Sequence, residues 1–410
     1  MSESPSARRV IEVHRGVIGP VAPRPKSVRP RKLADYPHVP AAYRDVARKL
    51  SSPLMMGPPV CDELMAFLQH LFTEEEAAVV RHLNGLTGKT ARHVARAERR
   101  PLDQVEPILE RLAVGKRAIA STGSGTKRYQ LMPVMPGIFE MVLISESPET
   151  LSDWHRKFIE LFEALYETGY VAAAGGPPSR VIRYLPVGRA IDAHPMALPS
   201  DHMESVLDRF TTFGIGQCQC RTAMVALGKG CGKPIANCTV MGQWAEQGVS
   251  AGWLKPVGKR DVLEIKREAE AHGMVSFLMN VQSTRGQASC SCCGCCCKAM
   301  RSITEFSAPS IVAPPHFLPK FDASRCTYCG KCATQCPMGA LVLDVPARSR
   351  KHLLQRCIGC GVCAAACPQP GAIAMEGVPD YAPPYRNWFS FFLGNAPAMF
   401  QNAWKAWRNR

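Results

Sequence analysis

Two stretches of this chain obey one rule of cysteine spacing. The first runs Cys326-Thr-Tyr-Cys329-Gly-Lys-Cys332-Ala-Thr-Gln-Cys336-Pro337, the second Cys357-Ile-Gly-Cys360-Gly-Val-Cys363-Ala-Ala-Ala-Cys367-Pro368. Both read C-x2-C-x2-C-x3-C-P. Three cysteines spaced two residues apart in a tight loop can wrap three corners of a four-iron cube, and a fourth completes it. Gly330 and Gly361 relieve crowding where backbone nears such a group. The proline after each fourth cysteine redirects the chain.

These motifs resemble the bacterial two-cluster ferredoxins over about 60 residues, here 316–378. The resemblance implies a ferredoxin-like domain with two [4Fe–4S] clusters. Carried over, Cys326, Cys329, Cys332 and Cys367 hold one cluster, and Cys357, Cys360, Cys363 and Cys336 the other. It also implies short strands at Ala340–Asp344 and Ala372–Glu376, and one-electron transfer between neighbouring clusters. Between Lys320 and Glu376 stand three acids against seven Lys and Arg. That balance raises cluster potential and suggests a redox partner with an acidic docking surface.

A second set of cysteines lies upstream. Cys218, Cys220, Cys231 and Cys238 fall within 21 residues, enough for a third [4Fe–4S] cluster or a tetrahedral zinc. Arg221 is placed to donate to a cluster sulfur. Cys290, Cys292, Cys293, Cys295, Cys296 and Cys297 put six thiols into eight residues. Neighbours this close cannot all ligate one cube without strain. So dense a thiol run in a purely structural segment would be an oxidation liability. Cys292–Cys293–Gly294 resembles the CCG motif of the heterodisulfide-reductase catalytic subunit, which implies a reductive centre near Cys290–Cys297. The two groups are expected to meet in one central domain as one or two further clusters, or zinc, feeding the ferredoxin pair. Cys61 reads as a plain buried thiol.

The chain has 410 residues, of which 19 are cysteines, and a formal net charge of +16. Disulfide scaffolds are short and secreted. Residues 1–20 contain no apolar run of signal-peptide length, so the cysteines read as metal ligands in the reducing cytoplasm. No stretch is apolar enough to span a bilayer.

Residues 1–60 carry ten prolines and eleven Lys and Arg against four acids, the composition of a basic, extended arm. Residues 61–145 show helical periodicity at Asp62–Leu71, Thr73–Asn84, Thr90–Ala97 and Asp103–Ala113, then a two-stranded ribbon. About 70 of these residues resemble a winged helix-turn-helix. The segment 101–114 offers three acids against Arg111 alone, a poor match for a polyanion. Protein docking is therefore favoured over nucleic acid. A cysteine-rich domain, 146–310, follows. It has helices expected from Ser147 to Gly169, over Asp201–Phe213 and over Arg260–His272, and a strand over Met274–Val281.

The tail, 379–410, gathers Trp388, Phe389, Phe391, Phe392, Phe400, Trp404 and Trp407 with Lys405, Arg408 and Arg410. An amphipathic helix of this composition suits a partner groove or the inner face of a membrane.

The expected architecture is an α+β multidomain chain: a winged-helix-like domain, a mixed cysteine-rich central domain and a two-cluster ferredoxin-like domain. No G-x-G-x-x-G follows a strand, which argues against a nicotinamide or flavin site. The leading expectation is an electron carrier serving a larger oxidoreductase. The alternatives are an iron–sulfur reductase and a redox-sensing DNA-binding regulator.

Overall fold

The computed structural model describes residues 9–123, 125–173, 180–308 and 311–408. Contacts divide the chain into Pro25–Gly176 with Pro397–Arg410, and Met1–Arg24 with Pro177–Ala396. The expected boundaries at 145 and at 310–316 therefore shift. Residues 146–176 belong with the preceding helices, and the central and ferredoxin-like segments form one unit.

In the first unit, helices Asp62–Leu71, Glu74–Val80, Ala91–Glu98 and Leu102–Glu110 precede the antiparallel hairpin Ile119–Thr122 and Arg128–Leu131. Local chemistry starts the helices. The Glu76 N–H donates to Thr73 Oγ1 and the Thr73 N–H donates to Glu76 Oε2, a reciprocal cap. The aromatic stripe is core: Phe158 and Phe162 pack on Phe67, and Phe162 stacks on Phe139 at 4.0 Å.

The helix bearing that stripe spans Asp153–Glu167 and does not begin at Ser147. Ser152 caps it by accepting from the His155 N–H, while Ser147 and Thr150 close a separate turn. Residues 9–60 also depart from an extended basic arm. Ala41–Leu50 is a helix because Ala42, Tyr43, Val46, Ala47 and Leu50 form one buried face.

The second unit is built from antiparallel sheets. One has the strand order Gly286–Ser289, Cys238–Gly242, Phe213–Gly216, Lys255–Val257. A second joins Ser291–Cys292, Val275–Met279 and Ile182–Tyr184. The helix expected over Asp201–Phe213 is reduced to Met203–Leu207. The chain then becomes the strand Phe213–Gly216, captured by pairing on both sides. The hairpin Ile11–His14 and Val17–Pro20 extends the ferredoxin-like segment, with Ile18 opposite Leu343 and Val17 opposite Asp344. Phe317–Phe321 pairs with Ile373–Gly377 to close that segment.

The tail forms the helix Trp388–Arg408. Trp388 meets Trp244 with ring centroids 6.0 Å apart, and Phe391 is buried. Phe389, Phe392, Leu393 and Phe400 are exposed. The side chains of Trp404, Lys405, Trp407 and Arg408, and the whole of Arg410, lie outside the described residues. No helix among the described residues is long and apolar enough to cross a membrane.

Candidate metal centres

Each cysteine motif turns a short helix across its third cysteine. Lys331–Thr334 starts behind Gly330, and Val362–Ala366 behind Gly361. Both glycines hold positive φ, +81° and +69°, a conformation that costs other residues energy. The loops before them curl around two small cavities that open in part to solvent.

Cys326, Cys329, Cys332 and Cys367 line the first cavity, with Arg350 and Leu343 in its wall. Cys336, Cys357, Cys360 and Cys363 line the second, beside Met338 and Ile358. Each cavity thus draws three cysteines from one motif and one from the other. Donors already point at the sulfurs. Cys326 Sγ accepts from the Tyr328 N–H and from Arg350 Nη1, both at 3.4 Å. Cys336 Sγ accepts from the Ala340 N–H at 3.3 Å. Burial pushes the Cys332 and Cys357 thiols up to about 11, so a thiolate there calls for a metal's charge. Four soft sulfur donors around a small apolar cavity fit an iron–sulfur cluster.

Residues 318–368 match the family model of the 4Fe-4S dicluster domain. Comparison with curated proteins and with solved structures finds no match. The C-terminal segment is thus a [4Fe–4S]-binding dicluster domain, and two cavities agree with its two clusters.

Upstream of the dicluster domain the cysteines sort in space differently from their order in the chain. Cys231 leaves Cys218, Cys220 and Cys238 and joins Cys293, Cys295 and Cys296, with all four sulfurs within 4.8 Å of one another. Five of the remaining six form a row, Cys220, Cys297, Cys292, Cys290 and Cys238 in that order. Cys290 hydrogen-bonds with Cys238 and Cys292, and Cys297 with Cys292 and Cys220. Cys218, at the N-cap of helix Gln219–Ala226, lies in the same field as Cys290 and Cys293. The two cysteine segments meet, as expected, and one turn, Cys290–Cys297, contributes to both thiol groups. Cys61 is fully buried at the N-cap of Asp62–Leu71.

Cations and a phenol frame these thiols. Buried Arg221 donates through Nη1 to the Ser291 carbonyl at 2.8 Å and to Cys293 Sγ at 3.7 Å, and through Nη2 to Asn237. Lys266 is buried beside the row, donating to the Ser289 carbonyl at 2.9 Å and Ser291 Oγ at 3.2 Å. Burial lowers its ammonium to about 8 despite the nearby thiols. The Tyr184 hydroxyl is 3.9 Å from Cys297 Sγ. Sequence reasoning missed Arg350, Lys266 and Tyr184. Each lies on a different element from the cysteine it serves, so no local spacing marks it.

Proposed function

We propose that this chain is an iron–sulfur electron-transfer protein that passes single electrons to or from a larger oxidoreductase. The ligands are Cys326, Cys329, Cys332 and Cys367 for one [4Fe–4S] cluster, and Cys357, Cys360, Cys363 and Cys336 for the other. The observation that carries this reading is the exchange of the fourth cysteine between the two cavities. When bound, each cluster supplies a one-electron couple. The chain's own residues set its environment: Arg350 and the Tyr328 N–H place positive charge against Cys326, which favours the more negative, reduced form.

The central thiols hold further metal. Lys331, Arg348 and Lys351 are exposed around the dicluster domain and support docking to an acidic surface on the redox partner. In the N-terminal unit, helices followed by a hairpin support a winged-helix-like docking module. Its exposed Asp103 and Glu106 disfavour nucleic acid. The exposed Phe389, Phe392, Leu393 and Phe400 support a cytoplasmic protein resting against the inner face of a membrane or in a partner's groove.

Iron and sulfide counts on the anaerobically purified full chain test the exchanged ligands. Cys336→Ala with Cys360→Ala should remove about four irons, because both belong to one cluster. Cys336→Ala with Cys329→Ala should remove about eight. Equal losses from the two pairs would sink the assignment.

A further inference from the structure

Cys293, Cys295 and Cys296 come from a single tight turn. The N–H groups of Cys296 and Cys297 both donate to the Cys293 carbonyl, at 3.3 and 3.1 Å. That turn aims three sulfurs at one point. The fourth, Cys231, arrives from a loop between Gly230 and Gly232, whose φ is +69°. Among the described residues, this is the only group of three or more Cys, His, Asp or Glu ligand atoms that converges so closely.

We infer that Cys231, Cys293, Cys295 and Cys296 hold one divalent transition-metal ion in a closed tetrahedral tetrathiolate site, distinct from every iron–sulfur cluster of the chain. This rests on reading the central thiols as metal ligands and not on the dicluster assignment. Distance decides the nuclearity. Sulfurs 2.3 Å from a shared tetrahedral ion stand about 3.8 Å apart. Cys295 Sγ and Cys296 Sγ are 3.7 Å apart, and no pair in the group exceeds 4.8 Å. A cube seats its four thiolates on four separate irons and so spreads them wider than one ion does. The adjacent pair Cys295–Cys296 already holds its sulfurs at the spacing of ligands on a single ion.

Charge and access fit as well. Binding replaces four thiol protons with one ion and leaves a complex of charge −2. The Arg221 guanidinium, held by Ser291 and Asn237, donates to Cys293 Sγ and offsets part of that charge. Cys293, Cys295 and Cys296 are buried while Cys231 is half-buried, so the ion enters on the Cys231 side. Four sulfurs leave no open position, which makes the site structural. Zinc and mononuclear iron share this ligand chemistry.

The test uses the full chain purified anaerobically, with zinc, iron and sulfide counted and X-ray absorption recorded at both metal edges. About one ion per chain unaccompanied by sulfide is expected, with four sulfurs at about 2.3 Å and no metal neighbour. A zinc-edge signal of that form identifies zinc. Iron in excess of sulfide with the same shell identifies mononuclear iron. Cys295→Ser with Cys296→Ser should remove that ion and leave the dicluster iron and sulfide in place. The absence of any sulfide-free ion in the parent protein would overturn the inference. So would loss of sulfide together with iron in the double variant. The parent spectrum decides the matter even if the variant fails to fold. Failure of the dicluster reading would instead appear as missing sulfide with the single ion retained.

Discussion

Gly294 passes so close to Pro337 that a Cβ on Gly294 would stand 1.7 Å from the Pro337 carbonyl oxygen. The turn that gathers the central thiols is thus seated directly on the backbone after Cys336, a residue of the dicluster domain. Neither chain can retreat cheaply, because Cys293 and Cys295 flank one side and Cys336 the other. Gly294→Ala should cost about 1–3 kcal/mol through overpacking, lowering the melting temperature of the full chain by roughly 3–10 °C. It should also release metal from both neighbours, read by iron and zinc content. An unchanged melting curve would mean that the two loops slide apart freely.

Arg350 joins two contacts at the first cavity. Its Nη1 donates to Cys326 Sγ at 3.4 Å and its guanidinium lies 4.1 Å over the Phe321 ring. Arg350→Met keeps the aliphatic stem on Phe321 and deletes the donor. A bond of about 1 kcal/mol that strengthens on reduction corresponds to roughly 40 mV for one electron. The potential of the cluster proposed there should fall by about that much in a redox titration, with the second cluster unmoved. A rise in potential would contradict the placement of the guanidinium.

Glu76 ties three pieces of the N-terminal unit together. Beyond its cap on Thr73, it receives Lys116 Nζ at 2.6 Å and Arg111 Nε at 3.3 Å. Burial pushes its carboxyl up, but Lys116, the Thr73 N–H and Arg111 outweigh burial and hold it below its ordinary value of 4.5. The resulting stabilisation is complete above 4.5 and is lost as pH falls through the lower folded value. Glu76→Gln should destabilise by about 1–3 kcal/mol at neutral pH. Its deficit against the parent should shrink in acid, measured by urea unfolding across a pH series. A deficit independent of pH would mean that charge plays no part.

Arg117 is nearly buried and turns its guanidinium inside the same unit. Its Nε donates to the Met141 carbonyl and its Nη2 to the Val142 carbonyl, both at 2.9 Å, and Nη2 also reaches Glu146 Oε1 at 2.7 Å. Arg117→Met should cost about 3 kcal/mol, since it removes the donor to two carbonyls and the cation from Glu146, which keeps Ser145 and Thr150. Adding Glu146→Gln should recover part of that loss, because the uncompensated charge goes with it. A double variant no better than the single one would show that the carbonyls carry the effect.

The parts of this molecule readable in advance are those decided within a few residues. Thr73 and Glu76 announce a cap because capping acts between positions i and i+3. Asp62–Leu71 follows from helical periodicity alone. The C-x2-C-x2-C-x3-C-P repeat determines a metal-built loop because one turn of chain holds three ligands at that spacing. Where a local signal met a distant partner, the partner won. Asp201–Phe213 reads as one helix, yet Phe213–Gly216 is a strand because two other strands claim its hydrogen bonds. The basic residues around Ile11–Pro20 read as a loose arm, yet the hairpin docks on Leu341–Asp344.

The ten central cysteines draw the same line most sharply. The sequence by itself marked this dense set of thiols as candidate ligands. Only the tertiary structure decided that Cys231 belongs with Cys293, Cys295 and Cys296, while Cys290, Cys292 and Cys297 turn toward Cys220 and Cys238. Ligation needs sulfurs to converge in space, and residues 231 and 293 meet only after the strands and helices between them have folded.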